Sequence, residues 1–471
     1  MKTNKNAMNC LTNLLFRKGV IAGMASLIPL TMFSKEVADN PKLPNILVIL
    51  ADDLGFGDLS CQGATDMQTP HIDRIFKDGM RFTNFYSNST VCSPTRASLL
   101  TGRYPDMAGV PGVIRTHEDD SWGYLFPGVT MLPHNLKKAG YETALIGKWH
   151  LGLEAPNLPN MRGFDHFRGF LGDMMDDYYT HLRHGNNYLR MNEEVVNPQG
   201  HATDIFTGWA LEYLDNRKPQ ANPFFMYLAY NAPHDPIQPP VDWIQKVKKR
   251  ENGISDKRAK LVTLIEHMDW NIGRVLDQLE KSGQLQNTLV IFTSDNGGVP
   301  GLEANNGPYR GGKQDMYEGG IRVPAAFLWK NRIAPGSTFP ELAMTMDLFP
   351  TLCEIAGIKP AEPVDGISLL PGLSGKVQNS DNRTVFFVRR EGNLKYGGMA
   401  YYAARSGKYK ILQNTPWEPM QFFNLKEDPS EQHPLEKTGS KEYEELFRQL
   451  TRHIRQSGSI PWQRPSMIKN E

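Results

Sequence analysis

The chain has 471 residues, with 52 Lys and Arg against 51 Asp and Glu, a net charge of +1 and 40% apolar residues. That balance excludes an electrostatic case for nucleic acid or an anionic membrane surface, so any attraction for an anion must be local. The length exceeds what one core usually fills and predicts two domains, or one large α/β domain with an appendage.

In chain order, Lys2, Lys5, Arg17 and Lys18 precede an apolar run from Gly19 to Phe33, and polarity returns at Ser34-Lys35-Glu36. The run is short for a membrane span and reads as a signal peptide over about residues 1–38. The expected mature protein is exported (periplasmic or secreted) and carries no membrane segment. Of four cysteines, Cys10 would leave with that peptide; Cys61 and Cys353 either pair or stay reduced, and Cys92 is considered below. Two Asn-x-Thr sequons occur, at Asn88 and Asn382, and the first is expected to be bare because a glycan there would crowd Cys92.

Short β-branched runs alternate with helical periodicity. Asn45 to Leu50 reads as a buried strand ending at Ala51-Asp52-Asp53. A helix from Thr130 to Ala139 stops at Gly140, and the strand Thr143 to Ile146 then ends at Gly147-Lys148-Trp149-His150. Phe224 to Ala229 ends shortly before Pro233-His234. Leu261, Leu264, Ile265, Met268, Ile272, Val275, Leu276 and Leu279 share one helical face between Ser255 and Lys281. Leu289 to Thr293 then runs into Ser294-Asp295-Asn296-Gly297-Gly298. This alternation predicts an α/β domain over residues 39–375, a mainly parallel sheet sandwiched by helices. Beyond it, strands at Thr384–Val388, Ala400–Ala404, Tyr409–Leu412 and Gln421–Asn424 and a helix from Lys441 to Arg455 predict a smaller antiparallel α+β subdomain over 376–471.

Four times a buried strand is followed by a polar cluster, and open α/β sheets bind ligands beyond the carboxyl ends of their strands. Asp52-Asp53 and Asp295-Asn296 supply oxygen in pairs that repel one another unless a cation lies between them. With neither a thiolate set nor a histidine pair, Ca²⁺ (or Mg²⁺) suits them better than Zn²⁺. Arg96, Lys148, His150, His234 and Lys313 supply positive charge and proton-transfer groups from separate loops. Gly311, Gly312, Gly319 and Gly320 allow the tight turns that bring Lys313 in.

Cys92-Ser93-Pro94-Thr95-Arg96, continued to Thr101-Gly102-Arg103, resembles the formylglycine signature of the type I sulfatases in the alkaline phosphatase superfamily. The resemblance runs from about Leu43 to the C-terminus through Ala51 to Gly55, Gly147 to Gly152, Asn231 to His234, Thr293 to Gly298 and Asn306 to Pro324. It implies that a maturase oxidises Cys92 to an aldehyde. The hydrate of that aldehyde attacks sulfur through one hydroxyl and expels sulfate through the other. It also implies Asp52, Asp53, Asp295, Asn296 and modified Cys92 as Ca²⁺ ligands, with Arg96 and Lys148 holding the hydrate. By the same resemblance His150 is the base that collapses the hemiacetal sulfate, and His234 with Lys313 bind sulfate and assist the leaving oxygen. A further polar contact that several members carry in the stretch matching Gly169 to Asp173 has no clear equivalent.

The implied function is hydrolysis of sulfate monoesters, on a sulfated small molecule or glycan. The alternatives are a phosphonate or phosphate ester hydrolase of the same superfamily and an inactive binder of sulfated glycans. Sugar selectivity is expected from a rim of Asp173, Asp176, Asp177, Tyr178, Tyr179 and His181, with Arg389 and Arg390 across the cleft.

Overall fold

The computed structural model describes residues 42–117, 120–217, 222–376, 383–391 and 399–464. The expected signal peptide, Cys10 and Asn382 lie outside these residues.

Residues from Leu43 onward form one unit around a ten-stranded sheet. In spatial order its strands are β13 (Ser337–Phe339), β2 (Met80–Phe82), β12 (Ala325–Trp329), β11 (Thr288–Ser294), β1 (Asn45–Ala51), β10 (Phe224–Ala229), β4 (Glu142–Lys148), β5 (His166–Phe170), β8 (Leu189–Met191) and β9 (Glu194–Val195). The five strands from β11 to β5 are mutually parallel, the four expected ones and β5 beyond them: Ile46 pairs with Phe225 on one side and Leu289 on the other. The flanks differ. β12 runs antiparallel to β11 and to β2, and β8 and β9 close the other edge antiparallel. Two small sheets pair β3 (Phe85–Tyr86) with β14 (Ala343–Met344) and β6 (Leu182–Arg183) with β7 (Asn186–Asn187).

The central strands carry uninterrupted apolar runs, at residues 46–51, 144–146, 224–229 and 289–292, because both faces are covered. Ile46, Val48 and Leu50 of β1 enter one core with residues of α2 (Cys92–Thr101), α3 (Leu132–Lys138) and α8 (Leu348–Ile355). Leu47, Ile49 and Ala51 enter the opposite core with α1 (Pro70–Asp78), α4 (Ala202–Asp215), α5 (Val241–Arg250) and α6 (Asp256–Lys281). Each buried aliphatic side chain contributes about 1.5–3 kcal/mol. The eight apolar residues predicted to share a face of α6 are all buried. Its start is fixed by Ser255, whose side chain accepts from the Arg258 amide, and Gly283 follows its end at φ 71°.

The short helices α7 (Glu318–Ile321) and α9 (Leu370–Leu373) lead toward the C-terminal part. There β15 (Thr384–Arg390), β16 (Ala400–Ser406), β17 (Tyr409–Gln413) and β18 (Gln421–Asn424) form an antiparallel sheet in sequence order. α10 (Lys441–Ser457) covers one face through Leu446 and Leu450. The other face shares a core with Tyr86, Met316, Tyr317 and Ile321, which places β15 beside the loop carrying Lys313.

Cys61 and Cys353 are both free. Asn88 is fully buried, its Oδ1 accepting from Thr345 Oγ1 at 2.7 Å and the Met346 amide at 2.9 Å. Among the described residues no helix is long and apolar enough to cross a membrane.

Candidate active site

β11, β1, β10 and β4 are neighbours, and their carboxyl ends deliver Asp295-Asn296, Asp52-Asp53, His234 and Lys148-His150 to one place. The strand ends are locally unusual. Gly147 has φ 106°, and an added Cβ there would run into the Ala229 carbonyl, so glycine lets β4 lie against β10 just before Lys148. Asp53 and His150 themselves sit at φ 67° and 59°, strain that the surrounding structure must hold.

Cys92 opens α2, where no side chain caps the first turn, a position that favours negative charge. Its thiol donates to Asp52 Oδ1 at 3.2 Å, with Asp53 Oδ1 at 3.9 Å. Burial first, then the Asp52 carboxylate, pushes the thiol well above its ordinary pKa. As a thiol it is protonated and a weak nucleophile.

One turn on, Arg96 donates to Asp295 Oδ2 from Nε at 3.0 Å and Nη2 at 2.6 Å, and from Nη1 to the Lys148 carbonyl at 3.2 Å. Lys148 Nζ meets Asp52 Oδ2 at 2.6 Å, and Lys313 Nζ meets Asp53 Oδ2 at 2.8 Å. Burial opposes ionisation of Asp52, but Lys148, His234, Arg96 and Lys313 together hold it well below the carboxylate range. Asp53 is lowered despite burial by Lys313 and His234. Asp295 differs: burial and the neighbouring Asp52 raise it to about 7 even with Arg96 alongside. The third carboxylate of the cluster ionises reluctantly unless more positive charge arrives.

The histidines are defined by their partners. His150 Nε2 lies 2.8 Å from the Ile114 carbonyl, which only accepts, so Nε2 carries the proton and Nδ1 the lone pair. Nδ1 is buried with no hydrogen-bond partner, and burial, Lys148 and Arg96 hold the ring neutral far below its usual pKa. His234 Nδ1 donates to the Asp235 carbonyl at 2.6 Å, leaving Nε2 to accept from Lys313 Nζ at 2.9 Å. Burial and Lys313 lower its pKa.

A cavity of about 130 Å³ exposes Cys92, His150, His234 and Lys313, with Arg115, Asp173, Gln314 and Glu391 completing its wall. Asp52, Asp53, Cys92 and His234 converge closely enough to share a metal ion. His234 lies beside the expected ligand positions, its ring nitrogens committed to Lys313 and the Asp235 carbonyl, while Asp295 is engaged by Arg96 and by the Asp53 amide at 3.2 Å. Asn296 donates to Asp53 Oδ1 at 2.8 Å and its own Oδ1 is buried without a partner. An orphaned amide oxygen beside three carboxylates is a donor set suited to a hard cation.

The rim residues divide. Asp173 lines the cavity, where Arg183 Nε holds it at 3.0 Å. Asp176 and Asp177 turn instead to their own loop, the first to Arg183 and the His184 amide, the second to the Tyr179 and Thr180 amides and Gln238. His181 is buried against the Gly200 carbonyl, and Tyr179 is exposed. Tyr178 is a buried positioning residue, its hydroxyl within 2.8 Å of the Asn231 carbonyl and 2.9 Å of the His234 carbonyl. Arg389 backs the cavity through the Gln314 carbonyl at 3.1 Å and Glu391 at 2.8 Å. Arg390 points away, to Tyr402 and Ser457, because alternate residues of β15 face opposite sides of their sheet. Arg115, Gln314 and Glu391 went unnoticed in the sequence; only the adjacency of Gln314 to Lys313 marked any of them.

Residues 44–358 match the sulfatase family model. The chain belongs to the sulfatase family. This sulfatase also matches, over residues 311–459, the model described as N-sulphoglucosamine sulphohydrolase, C-terminal. It is 30% identical to N-acetylgalactosamine-6-sulfatase of Mus musculus over 96% of this chain and 93% of that one. It is 32% identical to arylsulfatase G of Mus musculus, covering 93% and 92%. Among solved structures, Ps i-CgsB in complex with k-i-k-neocarrahexaose superposes with a TM-score of 0.81 at 30% identity, over 90% of this chain and 95% of that one. The phosphonate monoester hydrolase of Agrobacterium radiobacter, at 20% identity and a TM-score of 0.63 over 88% and 95%, shares the fold. The protein is a sulfuric ester hydrolase.

Proposed function

We propose that this sulfatase removes sulfate from galactose- or hexosamine-type sugars, with formylglycine made from Cys92 and a divalent cation, Ca²⁺ rather than Mg²⁺. The observation that carries the reading is the placing of a buried, protonated thiol at a helix N-terminus against Asp52, inside a ring of cations. A thiol so held is a poor nucleophile but a well-placed precursor. Residue 92 as the hydrated aldehyde supplies one hydroxyl for attack on sulfur and a second whose deprotonation releases sulfate. The sugar assignment is supported by relatives named N-acetylgalactosamine-6-sulfatase and by the carrageenan oligosaccharide bound to Ps i-CgsB. The pattern of residues 1–38 supports export, and a maturase partner follows from the cysteine-type signature.

Asp52, Asp53, Asp295 and Asn296 would hold the cation with residue 92. When bound, it supplies charge that neutralises the carboxylates and polarises oxygen. The chain's own groups do the rest. Arg96 and Lys148 fix Asp295 and Asp52, and so fix residue 92 beside them. Lys313, kept charged by Asp53 against the cost of burial, binds a sulfate oxygen and can give a proton to the departing alkoxide, while the His234 Nε2 that accepts from it holds its ammonium group in place. His150 Nδ1 takes the proton whose loss frees sulfate. Preorganised donors at such a centre contribute about 3–4 kcal/mol each to the transition state.

The test is a panel of sulfated galactose and N-acetylhexosamine mono- and oligosaccharides beside an aryl sulfate and an aryl phosphate. Sulfate release from sugars is expected. Turnover of the aryl sulfate alone would remove the glycan assignment, and preference for the phosphate ester would remove the sulfate assignment.

A further inference from the structure

Lys313 reaches the site from a loop, so its ammonium group is placed only as well as that loop is. The Lys313 amide donates to the Gly298 carbonyl and the Gln314 amide to the Thr90 carbonyl, both at 2.9 Å. The loop then turns into α7, which lies back on it. An added Cβ at Gly319 would run into the Arg310 and Gly311 carbonyls, and one at Gly320 into the Gly312 and Asp315 carbonyls. With only hydrogen at those positions, α7 rests directly on the backbone that carries Lys313, and displacing α7 displaces Lys313.

α7 is a single turn of four residues, too short to hold itself, and its support comes from the C-terminal part. The Glu318 amide at its start donates to Glu431 Oε2 at 2.6 Å. Lys410 Nζ, from β17, lies between the two carboxylates, 2.9 Å from Glu318 Oε1 and 2.8 Å from Glu431 Oε1. Glu318, Lys410 and Glu431 are all fully buried. Glu318 Oε2 also accepts from the Tyr86 hydroxyl at 2.5 Å and from Arg322 at 3.3 Å, so this carboxylate keeps a cation even without Lys410. Glu431 sits at φ 53°, a conformation its surroundings must impose, and its carbonyl accepts from Arg310 Nη1 at 2.8 Å. One residue thus grips the loop on both sides of Lys313, at Arg310 before it and at Glu318 after it. A buried ion pair adds little net stability over apolar side chains of the same volume; what this one specifies is a position.

We infer that Glu431 and Lys410 are positioning residues of the reaction: acting through Glu318 and Arg310, they set where Lys313 presents its proton to the departing oxygen. The inference rests on the leaving-group role given above to Lys313 and is independent of which sugar the enzyme takes.

The experiment measures kcat/KM of the maturase-treated enzyme for 4-nitrophenyl sulfate and 4-methylphenyl sulfate, esters of similar size whose leaving oxygens differ in basicity. The nitrophenolate departs without a proton, and the more basic methylphenolate needs one. Glu431→Ala removes the acceptor of the Glu318 amide and leaves Lys410 paired with Glu318, so no buried charge is stranded. It should lose about tenfold more on the 4-methylphenyl ester than on the 4-nitrophenyl ester, part of what a general acid contributes. Lys313→Ala sets the full size of that difference. Arg310 is exposed, so Arg310→Ala reports even where Glu431→Ala folds poorly, and it should shift the ratio in the same direction. The double variant Lys410→Met/Glu431→Gln removes both charges, keeps an oxygen for the Glu318 amide, and should return the ratio to within about twofold of wild type. A loss of activity without dependence on the leaving group, which a merely structural role would give, does not move this ratio. A ratio that shifts in Lys313→Ala but stays at the wild-type value in Glu431→Ala and Arg310→Ala, or that the double variant does not restore, overturns the positioning role and leaves that of Lys313 standing. A ratio unmoved in Lys313→Ala overturns both.

Discussion

At the scale of single residues, a carbonyl decides what His150 can do. Because the Ile114 carbonyl occupies Nε2, the basic nitrogen is Nδ1, buried, unpartnered and neutral across the physiological range. A base placed to serve the release of sulfate is not needed for the attack that precedes it. His150→Asn therefore should release about one equivalent of alcohol per site and then turn over about 100-fold or more slowly, the usual worth of a general base. Asparagine tolerates the positive φ of this position better than alanine, so the backbone is spared. Rapid-quench measurement of the alcohol checks it; loss of the first release along with turnover would place His150 in the attack instead. His150, Lys148 and Cys92 were legible in the sequence because their motifs are local. The tautomer was not, since it depends on a carbonyl 36 residues away. Nor were the partners of Asp176 and Asp177 legible: acidic loop residues are also the ones that cap their own turns, and here they do so.

At the scale of elements, the site is an intersection of four strand ends. Three carboxylates and an amide are gathered by β1 and β11, and Asp295 is hard to ionise as the cluster stands. Chelation of the proposed cation should lower the melting temperature and abolish sulfate release, with Ca²⁺ restoring both, because a ligand bound only by the folded state stabilises it. A melting curve and activity indifferent to chelator would remove the cation, and two zinc ions per chain would point to phosphatase chemistry. The central strands were readable because burial on both faces leaves uninterrupted apolar runs. The sequence reading missed β5, β2, β12 and the small edge strands. Runs of two to five residues carry little periodicity, and their pairing is set by long-range contacts such as Phe82 with Phe327.

At the scale of the whole molecule, stability couples to pH away from the site. His201 caps α4, its Nδ1 accepting from the Thr203 amide at 3.2 Å and its Nε2 donating to the Gln238 carbonyl at 3.1 Å. Burial and then His267 lower its pKa to about 4. A depressed folded pKa means that the unfolded chain binds the proton more readily. The contribution is full above about pH 6.5 and is lost as pH falls toward 4, up to about 3 kcal/mol. His201→Asn keeps a capping oxygen and cannot titrate. Its unfolding free energy, followed by denaturant between about pH 7 and pH 4, should fall less steeply than that of the wild type by about that amount. Parallel curves would show that His201 is not the titrating group. The C-terminal sheet was expected as a subdomain, and the structure shows what it does for the site. β15 carries Arg389, which holds the Gln314 carbonyl next to Lys313.

The proposed chemistry turns on residue 92. The direct measurement is the mass of the peptide containing Cys92, quantified in preparations made with and without a formylglycine-forming maturase and plotted against sulfate release from the same samples. Activity should be proportional to the fraction in which the residue has lost sulfur and two hydrogens and gained an oxygen. Full activity from protein whose Cys92 thiol is intact would contradict it.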